Sequence, residues 1–191
     1  GAATTENDPA KAALPFGAER DGMIVGSGAA CFVLERDSMV SERGMTPLVD
    51  VLATSFTNTA FHATRLESGF IRDNFTDFVA EVAAKTDMTV EELGREAFFM
   101  SHETYTPARG GSSAAEVNAL REAFQGVASE VLIANTKGFT GHPMGASLED
   151  AVAIKGLQRQ EFPPVANLNE VDPDFSDLHF SSGGTIKRSV A

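Results

Sequence analysis

Two histidine motifs carry the chemistry that this chain offers. They are Ser101-His102-Glu103-Thr104-Tyr105-Thr106 and Thr136-Lys137-Gly138-Phe139-Thr140-Gly141-His142, each set where an apolar strand runs out into a loop. Neither histidine has a nucleophile beside it. Two imidazoles and a lysine delivered from separate strand ends suit binding a carbonyl or carboxylate and stabilising charge that develops on its oxygen. Gly138 and Gly141, between Lys137 and His142, let the backbone turn tightly and approach a ligand. The bland alternatives are a hydrogen-bonded structural histidine, a capping histidine and a solvated lysine. Two such motifs in one chain add weight to the functional reading, with the solvated lysine and capping histidine still the alternative.

Other chemistries fit less well. His102 and Glu103 are not followed by a second histidine at helical spacing, so the zinc-protease pattern is absent and no metal site is expected. Cys31 is the only thiol; it falls in the middle of an apolar run without a basic neighbour, where cysteine is expected to be buried and inert. His62 and His179 stand alone and read as structural. Ser112 and Ser113 follow two glycines near His102, yet no serine elbow of the hydrolase type is present. Gly26 and Gly28 interrupt a strand instead of joining a strand to a helix, which weakens a nucleotide-loop reading.

The elements that must hold the motifs read as α/β. Met23 to Glu35 is β-rich and apolar on both faces, as in a strand buried between layers. A short helix from Arg36 to Arg43, stopped at Gly44, and a strand from Leu48 to Thr54 complete a β-α-β beginning. Phe75, Phe78, Val79 and Val82 form the stripe of an amphipathic helix within Arg72 to Lys85, and Thr89 reads as the N-cap of the next helix. Ala97 to Met100 and Val131 to Ala134 are strands that end at the two motifs. Helices from Ala114 to Phe124 and from about Ser147 to Arg159 follow them, and Pro163-Pro164 closes the last helical region. A short strand is expected near Asp177 to Phe180. Ligands of open α/β sheets gather at the carboxyl ends of strands, which is where both histidines fall.

Composition sets the outer limits. A chain of 191 residues with 42% hydrophobic and 22% charged residues is long enough for one substantial core, and one domain over 1–191 is the default. A formal net charge of -12 disfavours nucleic acid and anionic membranes as partners. No apolar run approaches the roughly 20 residues that span a bilayer, and the first residues carry no secretion signal. A single cysteine leaves no internal disulfide, in keeping with a reducing cytoplasm.

The order of motifs resembles the C-terminal half of the β-ketoacyl synthases. Pro15-Phe16 comes first, then Arg20-Asp21-Gly22-Met23-Ile24-Val25-Gly26-Ser27-Gly28-Ala29, a His-x-Thr-x-Thr motif and Lys137 to His142. Pro143-Met144-Gly145-Ala146, then Phe162-Pro163-Pro164-Val165-Ala166-Asn167-Leu168 ahead of Asp172-Pro173, continue the likeness over most of the chain. The resemblance implies a thiolase-like fold, of which this chain is the C-terminal β-α-β-α-β-α-β-β half, lacking its glycine-rich closing strand. It implies decarboxylative Claisen condensation in fatty-acid or polyketide synthesis. His102 and His142 would then stabilise the oxyanion, and Lys137 would set the local charge with a carboxylate, either Glu149 or Asp150. Thr104, Thr106 and Thr140 would line the channel for the pantetheine arm. No cofactor is implied beyond the phosphopantetheine carried by the acyl carrier protein. The implied partners are that carrier, the N-terminal half bearing the nucleophilic cysteine, and a second copy in a homodimer. Without that half, the chain is expected to be inactive and to self-associate.

Two readings compete with this one. A thiolase shares the fold and works on coenzyme A thioesters, but pairs its histidine with a second cysteine that this sequence lacks. A non-catalytic structural or chain-length partner would keep the fold without the chemistry. One departure from the resembled pattern stands at Glu103, where a glycine is usual. It is expected to place a negative charge where a carboxylate substrate approaches.

Overall fold

A computed structural model describes residues 3–61, 66–107, 111–144 and 147–191. In chain order the elements are α1 (Pro9–Ala12), α2 (Asp37–Glu42), α3 (Ser68–Lys85), α4 (Val90–Glu96), β1 (Phe98–Met100), α5 (Ser112–Phe124), β2 (Leu132–Ala134), α6 (Lys137–Thr140), α7 (Leu148–Arg159), β3 (Glu161–Pro164), β4 (His179–Phe180) and β5 (Ser182–Thr185). Short 3-10 turns at Gln125–Glu130 and Pro173–Phe175 complete the set.

β1, β2 and β4 form a parallel sheet in that order, with Phe98 opposite Leu132, Met100 opposite Ala134 and Ile133 opposite Phe180. β3 and β5 pair antiparallel, with Phe162 opposite Gly184. Successive residues of β2 serve opposite layers, because side chains alternate across a strand. Val131 and Ile133 pack into a core with Val79, Val82, Leu120 and Phe124 from α3 and α5. Leu132 and Ala134 pack the other way, with Phe98, Ala153 and Phe162. The central strand is therefore wholly buried, which explains its unbroken apolar run.

Several helices follow directly from local sequence. α4 opens on a capping box in which the Thr89 hydroxyl accepts from the Glu92 N–H and the Glu92 carboxylate accepts from the Thr89 N–H. α3 starts four residues before the expected Arg72, capped by Glu67, and α5 starts two residues before Ala114. The N-terminal segment is pinned by Phe16, whose ring lies 4.7 Å from Phe180 and whose carbonyl accepts from the Asp172 N–H at 2.9 Å. Arg20 adds a 2.6 Å ion pair to Asp172.

The expected strands at Met23–Glu35 and Leu48–Thr54 do not form. Met23 and Val25 make isolated bridges to Ala3 and His142, and beyond Val25 the chain runs without ladder partners until α2, which does form near its expected place. Side chains on both segments stand in the open: Val33 is 84% exposed, Leu34 78% and Phe56 96%. A strand apolar on both faces needs neighbouring strands and covering layers, and the described residues supply neither here. Cys31 lies on this segment and is exposed, contrary to the buried position expected of it. Pro163-Pro164 belongs to β3, an edge strand that tolerates missing N–H donors, and does not simply end a helix. Ser182-Gly183-Gly184-Thr185 is β5. Among the described residues no helix is long and apolar enough to cross a membrane, and no group of three or more histidine, cysteine or acidic side chains is arranged for a metal ion.

Candidate active site

β1 and β2 are adjacent and parallel, so the loops leaving their carboxyl ends emerge side by side. The first loop carries His102 and the second reaches His142 through the single turn of α6. That turn is helical, not the plain loop expected from Gly138 and Gly141. The two imidazoles meet edge to face with ring centroids 5.1 Å apart.

Asn135, the first residue beyond β2, ties the loops together. Its buried amide donates to the carbonyls of Glu103 at 2.9 Å and Ser101 at 3.3 Å, and its own carbonyl oxygen accepts from the Lys137 N–H at 2.8 Å. The buried Tyr105 hydroxyl donates to the Lys137 carbonyl at 3.2 Å. His102 is fixed through its backbone N–H, which donates to one Glu116 oxygen of α5 at 2.9 Å, while the other Glu116 oxygen, the one free to carry a proton, is hydrogen-bonded with the Ser101 hydroxyl. Burial pushes the Glu116 carboxyl up to about 8, so at neutral pH it holds its proton.

His142 is held by the N-terminal segment. Its N–H donates to the Ile24 carbonyl at 2.7 Å, and its carbonyl accepts from the Gly26 N–H at 3.0 Å. The approach is close enough to demand glycine on both sides. A Cβ on Gly26 would lie 2.0 Å from the Thr140 carbonyl oxygen, and Gly141 has a φ of +67° with Gly26 N 2.8 Å from where its Cβ would be.

Lys137 is fully buried and forms an ion pair with Glu149 at the start of α7. Asp150, the other carboxylate considered, is exposed. Although His102 as a residue is exposed, the protein packed around its ring lowers the imidazole to about 4, helped by the charge of Lys137 and by His142. His142 is lowered by the same causes, burial first and Lys137 next. Both rings are therefore neutral at pH 7, each with one N–H to donate and no charge to neutralise first.

Thr104 and Thr106 are half-buried, their hydroxyls 3.2 Å apart. Thr140 spends its hydroxyl on the Gly141 carbonyl at 2.8 Å. Glu103 does not face an approaching substrate, as the sequence suggested: it is fully buried and accepts from the Ser112 hydroxyl at 2.7 Å and the Thr104 N–H at 2.8 Å. The hydrogen-bond donors around it reward turning inward. His179 lies on β4 away from the other two, and His62 lies outside the described residues, as do Gly145 and Ala146. A broad cleft of about 760 Å³ bordered by Leu168, Leu178 and Phe180 includes neither His102 nor His142. Glu116 and Asn135 are the site residues that sequence reading passed over. Asn135 carried a signal, a polar residue at the carboxyl end of a buried strand.

Parallel strands ending in a paired-histidine site, covered by helices on one face and by α7 and β3 on the other, make this an α/β protein, and its structural neighbours place the fold in the thiolase-like class. The comparisons with known proteins agree. The chain is 30% identical over 182 residues to 3-oxoacyl-acyl-carrier-protein synthase 2 of Coxiella burnetii, covering 94% of this chain and 42% of that protein. It is 33% identical over 174 residues to the protein of the same name from Vibrio cholerae, covering 88% of this chain and 40% of the other. A crystal structure of a β-ketoacyl synthase from Burkholderia phymatum superposes with a TM-score of 0.81 at 26% identity, over 98% of this chain and 44% of that one. A type II polyketide ketosynthase solved in complex with its acyl carrier protein gives a TM-score of 0.80 at 23% identity, over 97% of this chain and 45% of that one. No protein-family model matches. The chain is similar to β-ketoacyl synthases over nearly its whole length and spans about two fifths of the length of the curated relatives it matches.

Proposed function

We propose that these residues form the C-terminal half of a β-ketoacyl synthase that carries out decarboxylative Claisen condensation, with the nucleophilic cysteine supplied by an N-terminal half. The observation that carries this reading is the pair of neutral imidazoles, 5.1 Å apart, beside the buried Lys137–Glu149 ion pair.

In this account the malonyl carboxylate leaves as carbon dioxide. The electron pair of the broken carbon–carbon bond passes into the thioester, and negative charge grows on its oxygen. N–H donors from His102 and His142 stabilise that charge in the transition state more than in the ground state. The carbanion then attacks the acyl group on the cysteine, a new carbon–carbon bond forms, and the thiolate departs. Burial first, and the Lys137 ammonium second, keep both imidazoles from protonating, with Glu149 acting the other way, so their N–H groups stay directed by hydrogen bonding and not by charge pairing.

Thr104 and Thr106 would meet the phosphopantetheine arm of an acyl carrier protein, with Thr140 supporting the turn behind them. The open apolar side chains of residues 25–56 support a missing packing layer, which the N-terminal half would provide, within a homodimer in the cytoplasm. The test is malonyl-thioester decarboxylation by the complete protein. His102→Ala and His142→Ala should each lower carbon dioxide release by about 100-fold or more, the usual cost of an oxyanion donor, and full activity in both would overturn the proposal.

A further inference from the structure

The loop that carries His102 is closed against α5 by two contacts of opposite sense. On one side the Ser101 hydroxyl of the loop meets the Glu116 carboxyl of the helix, which also accepts from the His102 N–H at 2.9 Å. On the other side the acid belongs to the loop and the hydroxyl to the helix: Glu103 Oε2 and Ser112 Oγ are hydrogen-bonded at 2.7 Å. Ser112 opens α5 and Glu116 stands four residues further on, so both helix partners project from one face, a single turn apart. His102 is the residue between the two acid–hydroxyl contacts.

The place of the His102 ring depends on that closure. Among the described residues nothing hydrogen-bonds its imidazole, which meets the His142 ring edge to face. Where the ring sits therefore follows from the course of residues 101–104. The Glu103 N–H donates to Ser101 Oγ at 2.8 Å, and the Thr104 N–H donates to Glu103 Oε2 at 2.8 Å and to Ser112 Oγ at 3.2 Å. Without the carboxyl, only the longer contacts between Thr104 and Ser112, at 3.2 and 3.4 Å, would hold this side of the loop to α5 among the described residues. A glycine at position 103 could not make the contact at all.

Resting on the synthase reading above, we infer that Glu103 is a positioning residue for His102: joined to Ser112, its carboxyl closes the far side of the loop on α5 and fixes where the imidazole N–H meets the oxyanion. It acts through the backbone of its own loop. The carboxyl beside the first histidine therefore serves the placement of that histidine and not the recognition of the malonyl carboxylate.

The test uses the complete protein, with malonyl-thioester decarboxylation measured per acylated cysteine, so that loss of folded protein cancels, and with the histidines titrated by NMR. Glu103→Ala and Ser112→Ala break one contact from its two sides. Each should lower kcat about tenfold, a part of the roughly 100-fold that a 1 Å misplacement can cost, and change KM by less than about twofold. The His102 midpoint should rise from about 4 toward 6.5 as the ring leaves its packed position. Glu103 is not among the charges that set that midpoint, so the rise reports the place of the ring. Glu103→Gln, whose amide oxygen can accept from Ser112 and Thr104, should keep kcat within about twofold of wild type and leave the midpoint near 4. The exchange Glu103→Ser with Ser112→Glu, which restores an acid–hydroxyl pair, should recover most of the lost kcat. Unchanged kcat and midpoint in Glu103→Ala and Ser112→Ala would overturn the inference, as would a loss of kcat with an unmoved His102 midpoint. Failure of the wild type to release carbon dioxide would instead overturn the synthase reading, while the midpoint would still decide whether Glu103 places the ring.

Discussion

Replacing Glu116 with glutamine isolates the effect of one buried acid. The Glu116 carboxyl lies behind the first histidine loop, bonded to the Ser101 hydroxyl and the His102 N–H, and burial raises it from 4.5 to about 8. An acid whose folded value is raised contributes stability that is complete below about pH 4.5. That contribution is lost as pH rises, because the unfolded chain releases the proton while the folded chain retains it. The loss runs at about 1.4 kcal/mol per pH unit until the folded group also ionises near 8, and amounts to about 5 kcal/mol in all. Glutamine keeps the shape and the acceptor for His102 but cannot titrate. In urea unfolding between pH 5 and 8, the wild type should therefore weaken relative to Glu116→Gln by more than 1 kcal/mol per unit. Parallel stability curves for the two proteins would refute the claim that Glu116 is a buried neutral acid.

Other perturbations address the framework around the rings. Gly26→Ala drives a Cβ to within 2.0 Å of the Thr140 carbonyl oxygen, so it should cost about 2 kcal/mol or more in stability and displace His142; a melting point and decarboxylation rate equal to wild type would contradict the packing described. Asn135→Ala leaves the Lys137 N–H and two loop carbonyls without their partner, with an expected loss of about 2–4 kcal/mol measured by urea unfolding. In a histidine NMR titration His102 should stay neutral down to about pH 5 and protonate near 4, and Lys137→Met should raise the midpoints of both His102 and His142; unchanged midpoints would remove the lysine from the electrostatics of the site.

What could be read from the sequence was local or periodic. Thr89 and Glu92 announce α4 because a capping box is complete within four residues. The Phe75, Phe78, Val79 and Val82 stripe announces α3 because its partners need only lie on one side. β1 and β2 were legible as apolar runs ending at histidines, and their parallel adjacency is what brings His102 and His142 together. Long-range relations were not legible. Glu116 meets the His102 backbone from another element, and nothing in its own helix marks it. Glu103 appears charged in a list of residues, yet Ser112, nine residues away, offers a donor that draws it inside. Met23 to Glu35 has the composition of a buried strand, but composition does not supply the neighbours a strand must pair with, and this segment lies open beyond Val25. The Lys137 to Thr140 turn escaped because a single helical turn has no period to detect.

The most direct test of the central claim supplies the complete protein with an acyl thioester and a carboxyl-labelled malonyl thioester, and measures released carbon dioxide and 3-oxoacyl product together. The account predicts carbon dioxide and product in equal amounts, with both lost in His102→Ala and His142→Ala. Absence of both from the wild type, or condensation that persists without either histidine, would contradict it.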